Sequence, residues 1–197
     1  MIPDISIIIL AGGKSSRFGA DKALAHFNGK TLIHNTIELA KGVTDNIIII
    51  SNQDGYNNLG FPVFPDLHKN KGPLGGVHSG LVNSNSELNF VLAADMPYVT
   101  LELIKYTINK ATIDSNGVIP IANGLPEPLC GVYLKSVIPT IENCIKEDKL
   151  KMMDVLKEIK AEYIEVNAEM SFYSPYLFSN INTEEDLKIA NRLMNEG

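Results

Sequence analysis

Solid apolar runs alternate along this chain with stretches whose apolar residues recur every three or four positions. ISIIIL at 5–10, IIII at 47–50 and NFVLAA at 89–94 show no in–out alternation, the pattern of strands covered on both faces. The β-branched run 47–50 is also too short and too stiff at χ1 to favour a helix. A weaker strand is predicted over 61–64, where Pro62 and Pro65 confine it to an edge or a strand end. Between these runs lie the helices. Thr31 caps one that carries Leu32, Ile33, Ile37, Leu39 and Ala40 and ends at Gly42. A second opens at Pro73 and runs to about residue 82, and a third runs from Thr100 or Leu101 to about residue 112.

Beyond residue 112 the pattern changes. Strands are predicted over 117–121 and 128–134, either side of the turn-like ANGLPE, then helices over 137–146 and 152–159. Short strands follow over 163–166 and 177–181. A closing helix spans 183–194, with Thr183 as its cap and Glu184, Glu185 and Asp186 complementing its dipole. The strand–helix alternation predicts an α/β fold: a Rossmann-like, three-layer α/β/α domain on a mostly parallel, mixed sheet. No repeat, low-complexity segment or linker divides it. The expectation is one domain over 1–197, with 1–112 binding nucleotide and 113–197 binding an acceptor and closing the fold.

Composition narrows the function. The formal net charge of −6 argues against a general nucleic-acid binder, which needs a broad basic face. No apolar run approaches the ~18 residues of a membrane span, and Asp4 interrupts the start before any leader core, so a cytoplasmic protein without membrane contact is expected. Cys130 and Cys144 lack paired spacing and read as small buried hydrophobes. The four histidines lack metal spacing and read as surface or substrate-proximal groups, with His68 and His78 flanking a glycine-rich loop.

Against that acidic background the loop after the first strand stands out. LAGGKSSRFGADK, residues 10–22, combines Gly12 and Gly13 with Ser15, Ser16, Lys14, Arg17 and Lys22. Right-handed crossovers set the loops after parallel strands at one sheet edge, where open α/β sheets bind ligands. Glycines bring bare backbone close to a ligand, successive amides form an anion-binding concavity, and Arg and Lys supply a planar fork and a mobile charge. The chemistry suggested is polyphosphate binding. Two familiar loops are excluded. Gly29-Lys30-Thr31 ends like a P-loop, but Leu24 stands where its first glycine belongs, and the dinucleotide fingerprint is absent.

Three further segments carry candidate chemistry. In FPDLHKNKGPLGGVHSGL, residues 64–81, Asp66 ends a strand on the ligand side. Gly72, Gly75, Gly76 and Gly80 leave backbone open to a flat base. A carboxylate or carbonyl there would accept from guanine N1–H and N2–H, a donor pair cytosine lacks. In FVLAADMPYV, residues 90–99, Asp95 follows a strand without other charge, the usual placement for holding Mg²⁺ against substrate phosphates. In FSNINTEEDL, residues 178–187, Asn182 reads either as a contact to a metal-bound water or phosphate, or as part of the helix cap. Ser51, Asn52 and Gln53 end the second long strand at the same edge.

Together these segments resemble the molybdenum cofactor guanylyltransferases, within the wider nucleotidyltransferases. The first loop is similar to the signature LAGGxGTRL of the wider group, with SSR for GTR, and its GADK continuation favours the molybdenum branch; Phe18 stands where Met is common. PLGG resembles the branch's GPLAG with Gly75 for Ala. The 90–99 segment matches with Ala94 where Cys is frequent, and NINTEEDL resembles NxNTxEDL. The segment 143–174 is least matched.

The resemblance implies transfer of GMP from GTP to the phosphate of molybdopterin, or of its molybdenum-loaded form, with release of pyrophosphate. It implies catalytic Arg17, Lys22 and Asp95, nucleotide contacts from Leu10, Ala11, Gly12, Gly13, Lys22, Asn52, Asp66 and Asp95, and Mg²⁺ on Asp95. Asn182 is implied to stand behind the metal. EPLCGVY, residues 127–133, resembles the family's acceptor-side strand, where Gln or His usually precedes PL; Glu127 departs from that. The substrates expected are GTP and molybdopterin or molybdenum cofactor, with molybdoenzyme-maturation proteins as partners. The rival readings are a cytidylyl- or sugar-1-phosphate nucleotidyltransferase, and a non-catalytic nucleotide-binding adaptor.

Overall fold

The computed structural model describes residues 4–12, 21–112 and 114–195. Its strands are β1 (Ile5–Leu10), β2 (His26–Phe27), β3 (Lys30–Thr31), β4 (Ile47–Ile50), β5 (Val63–Phe64), β6 (Leu88–Ala93), β7 (Gly117–Ala122), β8 (Leu125–Pro126), β9 (Cys130–Leu134) and β10 (Glu162–Glu165). Its helices are α1 (Leu32–Lys41), α2 (Gly72–Asn83), α3 (Leu101–Lys110), α4 (Ile138–Lys146), α5 (Met152–Glu158) and α6 (Glu184–Asn195). The main sheet runs β10-β7-β9-β6-β1-β4-β5, with β8 paired to β7. β6, β1, β4 and β5 are mutually parallel; β9 is antiparallel to both β6 and β7. The expected α/β architecture on a mixed sheet is the one observed.

The strands' apolar runs divide between two layers, as doubly covered strands require. Ile5, Ile7 and Ile9 of β1 face one cluster with Ile33 and Ile37 of α1 and Leu103, Ile104 and Ile108 of α3. Ile8 and Leu10 face the other, with Leu74, Val77 and Leu81 of α2, Ile141 and Ile145 of α4 and Val155 and Leu156 of α5. Helix α2 sits close on β1 because Gly80 leaves room. A Cβ built there would lie 2.3 Å from Ile8 Cγ2, a collision between helix and strand.

The topology sets the ligand edge. From β1 the chain steps to β4 and β5 on one side, then crosses back to β6 on the other, so the strand order reverses at β1. Leu10 is in register with Ile50 and with Ala93, and Ile50 with Phe64, so four strands end level at their carboxyl ends. The loop bonds Ala11 N–H to Ile50 C=O, and Ala94 N–H to Leu10 C=O, extend that alignment past the strands, at 2.9 and 3.0 Å.

Three expectations need correction. Residues 177–181 form turns rather than a strand. Leu177 N–H bonds Ser174 C=O and Ser179 N–H bonds Tyr176 C=O, so the backbone folds on itself while Leu177 and Ile181 still bury their side chains. The strand expected over 128–134 begins at Cys130, because Cys130 N–H closes a turn on Glu127 C=O. The two small pairings, β2–β3 and β7–β8, were not predicted. Asn28 and Gly29 take φ of 50° and 79°, the left-handed pair that a two-residue hairpin turn demands. Gly29 therefore serves a hairpin.

Candidate active site

At the switch point the loop after β1 meets the loop after β6. Lys22 Nζ lies 2.5 Å from Asp95 Oδ2, both side chains about one-fifth exposed at 21% and 22%. The same ammonium donates to Asn182 Oδ1 at 3.1 Å. Residues separated by 73 and 160 positions thus share one point at the carboxyl edge.

Each is placed by local structure. Asp21 caps the 3₁₀ turn Lys22–Leu24, its Oδ1 accepting from Ala23 N–H at 3.1 Å. Its other oxygen accepts from Tyr56 Oη at 2.5 Å. Tyr56 is fully buried, and burial, then Asp21, pushes its phenol above the ordinary range, so it stays a donor. Asp95 sits in the turn after β6, where its C=O accepts from Ile181 N–H at 2.9 Å. Asn182 precedes α6, and its N–H bonds Asp186 Oδ2 at 2.9 Å. Thr183 Oγ1 accepts from Asp186 N–H in return, a capping box that holds the Asp186 carboxyl below its usual range chiefly through the Asn182 amide. The backbone of Asn182 belongs to the cap, and its side chain lies beside Lys22.

A second cluster occupies the ends of β4 and β5. Asn52 Nδ2 donates to Asp66 Oδ2 at 2.7 Å, and Asp66 N–H donates back to Asn52 Oδ1 at 3.0 Å. Of the three candidates after β4, Asn52 is the one set against Asp66; Ser51 is buried, with its Oγ accepting from Gln53 N–H. Asp66 Oδ1 lies 3.7 Å from where Gly76 would carry a Cβ. At Gly75 a Cβ would come within 2.9 Å of His68 C=O, so glycine there lets the 66–71 loop close onto α2.

Leu10, Ala11 and Gly12 line the same edge. Gly12 is exposed, and among the described residues a Cβ there would meet nothing nearer than 3.9 Å. Gly13 and Arg17 lie outside the described residues. His78 departs from expectation: it is 2% exposed between α2 and α4, its Nε2 3.5 Å from Glu142 Oε1 and its ring 4.9 Å from that of His68. Cys130 and Cys144 are buried thiols, as expected. Sequence reasoning missed Asp21 and Tyr56. The available signals were an Asp one residue before Lys22 and a lone aromatic in the polar run SNQDGYNN.

The arrangement can neutralise anions at one point and read a hydrogen-bonding edge at another, on either side of β1. Among the described residues, no group of three or more His, Cys, Asp or Glu side chains could hold a metal by itself. Among them, too, no helix is long and apolar enough to cross a membrane.

Comparison with known proteins shows the family. The family model described as a MobA-like NTP transferase domain matches residues 7–162. A "Probable molybdenum cofactor guanylyltransferase" of Natranaerobius thermophilus is 36% identical over 202 residues, spanning 98% of each chain. The molybdenum cofactor guanylyltransferase of Vibrio campbellii is 33% identical, spanning 92% of each. Among solved structures, molybdopterin-guanine dinucleotide biosynthesis protein A from Archaeoglobus fulgidus superposes with a TM-score of 0.83 at 25% identity, covering 98% of this chain and 100% of that one.

Proposed function

This chain belongs to the MobA-like NTP transferase family and is a nucleotidyltransferase, and from that premise we propose that it transfers GMP from GTP to the phosphate of molybdopterin or its metal-loaded form. The observation that carries the reading is the meeting of Lys22 and Asp95 at the switch point. A phosphate nucleophile is already anionic near neutral pH, so the reaction needs no activating base. Its obstacle is the approach of one anion to another.

The residues fit that task. Lys22 brings a mobile cation that pairs with Asp95 and can turn to the α-phosphate or departing pyrophosphate. By resemblance, Arg17 adds a second cation from the same loop. Gly12 presents backbone that no described residue crowds. Asp66, fixed by Asn52, offers the carboxylate that accepts guanine N1–H and N2–H. Asp95 beside the Asn182 amide oxygen fits Mg²⁺, which binds through one or two carboxylates and takes its remaining oxygens from water and substrate. When bound, Mg²⁺ would supply charge neutralisation across the triphosphate.

The test is pyrophosphate release from GTP with Mg²⁺, with and without molybdopterin. Release that requires acceptor supports the proposal; release equally from CTP or UTP in place of GTP turns it toward a cytidylyl or sugar-phosphate enzyme. The relatives' names favour guanylyl transfer, and the Asp66 carboxylate suits guanine's two donors.

A further inference from the structure

A cavity of about 190 Å³ opens between the β8–β9 turn and the 173–179 segment, away from the Asn52–Asp66 pair. Its two walls both run into the Asp95 strand end. Leu129, two residues past Glu127, accepts from Ala93 N–H at 2.9 Å, and Ile181, two past Ser179, donates to Asp95 C=O at 2.9 Å. The cavity therefore flanks the catalytic edge on the side opposite β4 and β5. Its volume falls below the roughly 300–1,000 Å³ of sites for drug-sized ligands, so it suits one ring system rather than a nucleotide. Tyr173 and Phe178 supply aromatic walls, and Asn123 and Ser179 polar ones.

We propose that Glu127 determines acceptor specificity, its carboxyl pairing in this cavity with the edge of a flat nitrogen heterocycle that carries a hydrogen-bond donor beside an acceptor, the chemistry of a pterin. The inference rests on the nucleotidyl-transfer reading and deepens it. Glu127 is held rigidly: its N–H bonds Pro120 C=O at 2.9 Å and its C=O accepts from Cys130 N–H at 3.0 Å. Tyr133 Oη braces the same turn by donating to Pro128 C=O at 2.7 Å. Yet among the described residues nothing hydrogen-bonds or ion-pairs with the Glu127 carboxyl, which is half-buried on the cavity wall.

Burial pushes this carboxyl up to about 7. The ionisable groups beside it are the buried Cys130 thiol, itself raised by burial and by Glu127, and Tyr173 across the cavity. Near neutral pH much of Glu127 is therefore the uncharged acid, which offers one donor and one acceptor side by side. Glutamine offers the same pair without titrating.

The test is equilibrium dialysis of the intact chain against 6-hydroxymethylpterin, with the GTP thermal shift measured in parallel. Wild type should bind the pterin about tenfold more weakly at about pH 8 than at about pH 6, the one-proton linkage across a value near 7. Glu127→Gln should keep the affinity seen at low pH and lose most of that dependence, the remainder reporting the pterin's own ionisation. Glu127→Ala should bind about tenfold more weakly at low pH while keeping its GTP shift, which shows that it is folded. Equal pterin affinity in Glu127→Ala and wild type overturns the inference and leaves the nucleotide reading standing. So does a wild type that binds GTP but no pterin. Loss of the GTP shift in wild type instead overturns the parent reading.

Discussion

The two clusters at the ligand edge are built on opposite principles. On one side of β1, Lys22 and Asp95 form an ion pair between groups proposed to face phosphates and metal. On the other, Asn52 and Asp66 exchange two hydrogen bonds and carry a net negative charge. The first arrangement holds opposite charges, which on the proposed reading would separate to meet different partners. The second fixes a carboxylate in one orientation, which suits the reading of a hydrogen-bonding edge. On the proposed reading, chemistry would be served by charges that can change partners, and selection by a group held in place.

The contrast breaks most readily at the phosphate side. Lys22→Ala and Asp95→Ala should each lower kcat by roughly 10²–10³-fold, the ~2.7–4 kcal/mol lost with one transition-state donor. The assay is pyrophosphate release at saturating GTP, with circular dichroism to confirm the fold. Near-normal turnover in a folded Asp95→Ala protein would remove that residue from the metal role. The base side should respond differently. Asp66→Asn, which alters a hydrogen bond to a charged group worth about 1.5–3 kcal/mol, should cost roughly 10–100-fold in kcat/KM for GTP. Most of that loss should appear in KM, and GTP should lose ground to CTP. A fall in kcat with unchanged base preference would place Asp66 with the catalytic cluster and dissolve the distinction.

Why one cluster was more legible than the other follows from how each is built. Lys22 and Asp95 follow long apolar strands whose parallel order is written in solid runs, so their common edge could be placed without coordinates. Asn52 and Asp66 could be placed at that edge too, but their pairing depends on β5, a two-residue strand with no periodicity to read. The same brevity hid β2, β3 and β8. Residues 177–181 misled because Leu177 and Ile181 are apolar and buried, yet they fill the core from turns. Local signals mark Tyr56 and Asp21 singly, but their contact joins positions 35 apart across two irregular segments and has no local sign. For β2 and β3 the one local sign was the turn between them, Asn28-Gly29, a pair that favours two-residue hairpins.

That missed contact provides the intermediate test. Tyr56→Phe keeps the buried ring and removes the donor that steadies Asp21, and through it the turn carrying Lys22. Kcat should fall about tenfold, near the ~1.5 kcal/mol lower bound for a hydrogen bond to a charged group. KM for GTP should stay within about twofold, because the Asn52–Asp66 pair is untouched. A change confined to thermal stability would make Tyr56 a core residue only.

The smallest effect should come from acid, and it should fall on the base side. The loop from Asp66 to Lys71 rests on α2 beside His68 and His78, and Lys71 ties it to Asp148 at 2.8 Å. Burial of His78 favours the neutral ring and outweighs the opposing pull of Glu142 on α4, while His68 adds to the lowering. The folded value therefore lies below the ordinary 6.5, and the unfolded chain takes up the proton first as pH falls. The stability this residue contributes is present above about 6.5 and is lost as pH drops through its lowered value. Between about pH 7.5 and 5.5 the wild-type melting temperature should fall further than that of His78→Leu. Hydrogen exchange should show the added opening in α2 and the 66–71 loop, with the turn at Lys22–Leu24 unchanged. Equal opening of both sides on acidification would mean that the two clusters share one cooperative support, and their different behaviour would then have to come from charge alone.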